Sequence, residues 1–423
     1  MNYLLNTEFE SLIKITEYKD DTLEEYIDNE LINNFKIEIL KLKFLKNRIL
    51  DSSENLDLDK TIKSILHNFK KLEKQNSIKN SNYSYGYFSQ NYDSSYKIKS
   101  IPNFINNYDE ELKIELFGKI EFDSFIYTEK NTLCKIVYLL FLKIFNLDEL
   151  NINAICFQSF IKEVSEHYHN NPYHNFNHAV SVLQFTYMLI IETNISKYIS
   201  KHKLFGLMVA SLVHDIDHPG HTNNFEINNN TELAKKYNYQ SVLENHHCSM
   251  SYYIMHKQHI LLLNNLSINQ FIDVKETISE CILTTDMKFH ENLVSKLNNE
   301  FNNKSINEIN FTNNIQIMIC KLIIHTADLS NTMRPFEISK KVAFKINDEF
   351  KNQAFIEEKL NLPTLDFMKI PDNKTLYKNE LMFGLYIIKP LLDIFLKIYP
   401  NIKYIQNEFD KNTLNWRMLL EKE

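Results

Sequence analysis

Apolar residues recur every three or four positions along most of the chain, which is the spacing of amphipathic helices. Ile27, Leu31, Phe35, Ile39, Leu42, Leu45 and Ile49 form one stripe; after a polar break at 51–55, Ile62, Ile65, Phe69 and Leu72 form another. They predict a pair of amphipathic helices within residues 1–75, packed on the main body. The alternative is a coiled-coil arm that would make a homodimer, but the heptad run is short for that. Residues 76–100 are rich in Ser, Asn and Tyr and can bury little surface, so they predict a mobile linker. From 101 onward, segments such as 133–145, 205–213 and 315–324 repeat the helical pattern between Asn-rich breaks. The expected fold is all-α: one compact multi-helix domain over 101–423, at the upper end of single-core size.

Composition narrows the function. The chain has 423 residues, 47 basic and 54 acidic, for a net charge of −7. That balance argues against nucleic acid as a partner. Only 5 glycines occur, at 86, 118, 206, 220 and 384, too dispersed for a P-loop or a dinucleotide fingerprint. Any nucleotide must be held another way. The five cysteines (134, 156, 248, 281 and 320) are odd in number and form no CxxC pair. They read as reduced thiols in an intracellular, cytoplasmic protein. The first residues lack a signal-peptide pattern. No apolar run is long enough to span a bilayer.

The candidate chemistry is concentrated in histidines and acids. HYHNNPYHNFNH covers 167–178 and HDIDHPGH covers 214–221; SVLENHH brings Glu244, His246 and His247; Thr285 and Asp286 follow, then HTADLSN at 325–331. His214 and His218 are four apart, as are His174 and His178, a spacing that puts each pair on one helical face. His214 and Asp215 are adjacent, so both could ligate only near a helix end or across two metals. Carboxylates and imidazoles delivered by apolar helices are costly unless something pairs them. Together they suit zinc, manganese, iron or magnesium.

YHNFNH, HDIDHPGHTNNF, SVLENHH, TTD and HTADLSN, in this order, resemble the class I cyclic nucleotide phosphodiesterases, from about residue 101 to the C-terminal end. The resemblance implies a catalytic domain of about sixteen helices that hydrolyses a 3′,5′-cyclic nucleotide to the 5′-monophosphate. It implies one metal, usually zinc, on His178, His214, Asp215 and Asp328. A second metal, Mg²⁺ or Mn²⁺, would take Asp215 directly, with His218, Glu244 and Thr285 orienting its waters. A hydroxide bridging the two metals would attack phosphorus, and His174 would be the general acid.

The same resemblance implies that Tyr173 and Asn331 face the substrate and that Phe383 and Ile346 sandwich the base. It also implies a glutamine three residues before the Phe. Here that residue is Glu380. An ionised carboxylate only accepts hydrogen bonds. Guanine offers two adjacent donors, whereas adenine offers one donor and one acceptor, so Glu380 implies cyclic GMP over cyclic AMP. A protonated Glu380 would instead imitate glutamine and allow cyclic AMP or both. Two other readings compete: a different HD-type phosphohydrolase, and a catalytically weak cyclic nucleotide sensor.

Overall fold

A computed structural model describes residues 112–423 apart from 302, 303 and 305; the expected helices within 1–75 and the linker at 76–100 lie outside the described residues. Among the described residues there are fourteen α-helices and no β-strand. In chain order these are α1 (Lys130–Ile144), α2 (Ala154–Glu166), α3 (Phe176–Thr193), α4 (Lys201–Val213), α5 (Asn223–Asn228), α6 (Glu232–Lys236) and α7 (Val242–Met255). They continue with α8 (Ile268–Thr284), α9 (His290–Phe301), α10 (Asn313–Asp328), α11 (Phe336–Leu360), α12 (Asn373–Phe383), α13 (Lys389–Ile398) and α14 (Lys403–Lys422). The all-α expectation holds.

Helix α4 is the centre of the packing. Every residue from Lys203 to Val213 is buried, the pattern of a helix enclosed on all sides. It packs against α8, α3 and α10. At its crossing with α8, Gly206 has no room for a side chain: a Cβ there would lie 2.8 Å from the Val274 carbonyl oxygen. The one charged residue buried on α4, Lys203, pairs with Asp273 of α8. On the far side, Phe205 meets Phe141 of α1 and Phe157 of α2 edge-on or tilted, at 5.7 and 5.9 Å.

An enclosed apolar helix must shed its polar cargo at its ends. Helix α4 stops at Val213 and delivers His214 as its C-cap. Helix α10 likewise places Asp328 at its last position, after a run of buried Ile and Leu. Beyond it, Arg334 is 1% exposed and fixes the following segment. Its guanidinium donates to the Phe122 carbonyl at 2.7 Å, the Ser181 carbonyl at 3.0 Å and Gln184 Oε1 at 2.9 Å. Asn412 of α14 donates to the carbonyls of Thr332 and Arg334 from behind.

Candidate metal centre and acid site

Four donor atoms meet where α3, α4 and α10 converge. His178 Nε2 lies 3.1 Å from His214 Nε2 and 3.2 Å from both Asp215 Oδ2 and Asp328 Oδ1. His214 Nε2 lies 3.1 Å from Asp215 Oδ2 and 3.2 Å from Asp328 Oδ1. Such separations are the edges of a polyhedron whose donors each sit about 2 Å from one ion, the bond length of zinc to imidazole and carboxylate. The His214 ring is also set for ligation: Nδ1–H donates to the Ser211 carbonyl at 3.1 Å, so the Nε2 lone pair faces the cluster. Burial opposes charging the His214 ring, but Asp215 and Asp328 outweigh it and pull the ring's pKa well above its usual value. The site therefore attracts positive charge. Burial would raise Asp215, yet His214 and His178 hold it well below the carboxylate range. The residues fit a divalent cation.

The backbone reaches this arrangement differently from the helical spacing. His214 and His218 do not share a helical face, because α4 has ended and residues 214–217 form a tight turn with Asp217 at φ +61°. His174 is not helical either. Helix α3 begins at Phe176, where the Asn175 side chain accepts from the N–H groups of Asn177 and His178. The adjacent pair His214 and Asp215 is accommodated at a helix end, as adjacency requires.

Asn171 joins the two loops by donating to the carbonyls of His174 at 2.9 Å and His218 at 2.8 Å. The two imidazoles stack with centroids 4.1 Å apart. Their surroundings push the two rings in opposite directions. Burial lowers the His174 ring, but Glu349 more than reverses this and raises it to about 9. His218 is pushed well below its usual value by burial and by the charge on His174. Its Nδ1 accepts from the N–H of Gly220, whose φ of +79° suits glycine.

Glu349 of α11 was not foreseen from the sequence. Its side chain is 6% exposed and accepts from His174 Nδ1 and from the backbone N–H groups of Tyr173 and His174. Burial would raise its carboxyl, but His174 lowers it to about 2. The only signal in the sequence is an acid on the inward face of an amphipathic helix, three residues after Ile346.

The second set of candidates lines the other side of Asp215. Donor atoms of Asp215, His218 and His247 lie within 4.8 Å of one another. His247 also went unassigned from the sequence. Its Nδ1–H donates to the Ile216 carbonyl at 2.6 Å, which leaves a buried Nε2 lone pair 3.7 Å from Asp215 Oδ1. Burial lowers this ring to about 4. Glu244 is 8% exposed and held by Asn223 at 3.0 and 3.1 Å; burial and then Asp286 raise it to about 8. Thr285 is buried and donates to the Ile282 carbonyl.

Among the substrate candidates, Tyr173 packs against His178 with ring centroids 4.4 Å apart. Tyr173 and Asn331 line one small cavity with His178 and Asp328. Ile346 of α11 and Glu380 and Phe383 of α12 are half-buried. Their helices meet where Leu376 and Tyr377 pack against Ala343, with Phe344 and Leu381 alongside. No hydrogen bond or ring contact among the described residues joins these three to the metal cluster. Glu380 Oε2 is fully buried without a partner, and burial raises the carboxyl to about 7.

The family model described as 3′5′-cyclic nucleotide phosphodiesterase matches residues 173–409, more than half of the chain. The chain is 30% identical over 325 residues to the 3′,5′-cyclic-nucleotide phosphodiesterase regA of Dictyostelium discoideum, covering 76% of this chain and 40% of the relative. It is 26% identical over 377 residues to the human high affinity cGMP-specific 3′,5′-cyclic phosphodiesterase 9A, covering 88% of this chain and 62% of the relative. It thus spans between two fifths and two thirds of the length of these relatives. Among solved structures, it resembles the phosphodiesterase domain of the RhoPDE fusion protein from the choanoflagellate Salpingoeca rosetta. That match has a TM-score of 0.69 and 32% identity, and covers 72% of this chain and 96% of that one.

Proposed function

That the chain belongs to the 3′,5′-cyclic nucleotide phosphodiesterase family is the premise from which we propose its reaction: hydrolysis of a cyclic nucleotide to the nucleoside 5′-monophosphate. The observation that carries this reading is the four-donor cluster beside a histidine held protonated by Glu349. His178, His214, Asp215 and Asp328 would hold Zn²⁺. Asp215, with His218, Glu244 and Thr285 behind it and His247 added, would face Mg²⁺ or Mn²⁺. When bound, the cations neutralise phosphoryl charge and make water acidic enough to act near neutral pH. The chain's own residues do the rest. His174 donates its proton to the leaving 3′ oxygen, and Glu349 keeps that ring oriented and charged. Uncharged His247 keeps a free Nε2 lone pair beside Asp215, whereas the His218 Nδ1 lone pair is already taken by the Gly220 N–H. The reaction needs no Ser or Cys nucleophile, and burial raises the Cys248 thiol, keeping it inert.

The base would be met by Tyr173, Asn331, Ile346, Glu380 and Phe383, with cyclic GMP favoured over cyclic AMP. The buried, unpartnered Glu380 Oε2 supports this, because an ionised carboxylate suits the two donors of guanine. Relatives carry names for either nucleotide. A second reading rests on the same carboxyl: with its pKa near 7, its neutral form offers a donor and an acceptor and accommodates adenine. We place the catalytic domain at 101–423; a homodimer, if one forms, would use residues 1–75. Free cysteines fit a cytoplasmic setting, and no helix among the described residues is long and apolar enough to cross a membrane. Phosphorus NMR of the product tests the reaction: a 5′-monophosphate from the wild type and none from Asp215→Ala is expected, and a 3′-monophosphate would overturn it.

A further inference from the structure

Helix α11 carries more than Glu349 on its inward face. About one turn further along lies Gln353, and another turn on lies Glu357, both buried. The Gln353 amide is fully engaged. Its Oε1 accepts from the backbone N–H of Thr222 at 2.9 Å. Its Nε2 donates to Thr222 Oγ1 at 3.0 Å and to Glu357 Oε1 at 2.7 Å. A backbone N–H only donates, so the amide oxygen must face it, and both amide hydrogens are then used by the two remaining bonds.

Thr222 is the N-cap of α5, where its hydroxyl oxygen also accepts from the Phe225 N–H at 3.3 Å. The next residue, Asn223, reaches the start of α7. It donates to the two Glu244 carboxylate oxygens at 3.1 and 3.0 Å and accepts from the Leu243 N–H at 2.9 Å. Gln353 therefore clamps, by both backbone and side chain of Thr222, the point from which Asn223 holds Glu244. One face of α11 thus braces two places through residues four apart. Glu349 fixes His174, and Gln353 fixes the α5 terminus that carries the partner of Glu244.

We propose that Gln353 is a positioning residue for the second cation: by clamping Thr222 it aims Asn223, and through it Glu244, and so sets the affinity for a divalent cation beside Asp215. This rests on the reading that Glu244 faces that cation. A glutamine with a merely structural role would lower Tm when removed, but it would not weaken one cation site while sparing the other.

The test titrates the zinc-loaded full-length chain with Mn²⁺ in the absence of substrate, following the free ion by electron paramagnetic resonance, with zinc content and Tm measured alongside. Gln353→Met keeps length and flexibility and removes both bonds to Thr222. Thr222→Val removes the oxygen that Gln353 Nε2 reaches, and Thr222→Ser keeps it. Gly206→Ala, at the remote crossing of α4 and α8, is the control for general destabilisation. The expected result is a Kd for Mn²⁺ about tenfold higher in Gln353→Met and Thr222→Val, within about twofold of wild type in Thr222→Ser and Gly206→Ala, and zinc content unchanged in all four. A wild-type Kd in Gln353→Met, or an equal rise in Gly206→Ala at the same loss of Tm, would overturn the proposal alone. If Gln353→Met does not fold, equal Mn²⁺ affinity in Thr222→Val and Thr222→Ser would overturn it. A wild type that neither binds Mn²⁺ nor turns over either cyclic nucleotide would overturn the functional reading, and this proposal with it.

Discussion

Glu349 and His174, 175 residues apart, are joined twice: the carboxylate accepts from the His174 ring Nδ1 and from its backbone N–H at 3.1 Å. One side chain thus fixes where the imidazole sits and keeps it protonated, raised to about 9. A group with a raised pKa holds its proton below that value and loses it above. The kcat/KM profile should therefore have an alkaline limb near pH 9. Glu349→Gln should move that limb down toward the ordinary imidazole value near 6.5. At pH 7.5 only about a tenth of the rings would then be acid, so activity there should fall about tenfold. A limb that stays put in the variant would remove Glu349 from this role.

The metal cluster makes a prediction that needs no substrate. His214→Ala and Asp328→Asn should each lower zinc stoichiometry as measured by elemental analysis. Chelation of the wild type should lower Tm, because two carboxylates and two imidazoles are left crowded at 3.1–3.2 Å with no cation between them. Full zinc retention in both variants would show that the cluster is not the binding site.

The crossing of α4 and α8 offers a stability test far from the chemistry. Gly206→Ala puts a Cβ 2.8 Å from the Val274 carbonyl oxygen. The helices must separate, at a cost of about 1–3 kcal/mol. Thermal unfolding should show a Tm lower by several degrees, with activity per folded molecule retained. An unchanged Tm would mean that the crossing is looser than the structure has it.

Base preference should depend on pH through Glu380. Its carboxyl is raised to about 7, so the neutral form dominates below that and the carboxylate above. The ratio of kcat/KM for cyclic GMP over cyclic AMP should rise several-fold between pH 6 and 8. Glu380→Gln cannot ionise and should give a flat ratio. A flat ratio in the wild type would count against Glu380 facing the base.

Much of this was legible in the sequence, for a physical reason. Residues that share one ion must converge on one point, and the four candidates His178, His214, Asp215 and Asp328 sit in short polar motifs at the ends of apolar helices, where the pattern breaks visibly. The all-α architecture reflects the same periodicity. The backbone at the site was less legible. Four-residue spacing suggested shared helical faces for His174/His178 and His214/His218, yet α3 starts after His174 and α4 stops before His214. An Asn175 cap and a left-handed Asp217 achieve the convergence instead. Glu349 was hidden because its partner is remote in sequence and nothing local distinguishes it from a solvated acid. Gln353 was hidden likewise, since a lone glutamine on an amphipathic helix reads as surface.

Opening of a cyclic phosphodiester at this centre can be measured directly. The most direct measurement is side-by-side hydrolysis of cyclic GMP and cyclic AMP by the purified full-length chain with Mg²⁺ or Mn²⁺, beside Asp215→Ala. Turnover is expected, faster with cyclic GMP at pH 8, and Asp215→Ala should abolish it. No turnover of either nucleotide by a zinc-loaded wild type, or equal turnover by the Asp215→Ala variant, would contradict this expectation.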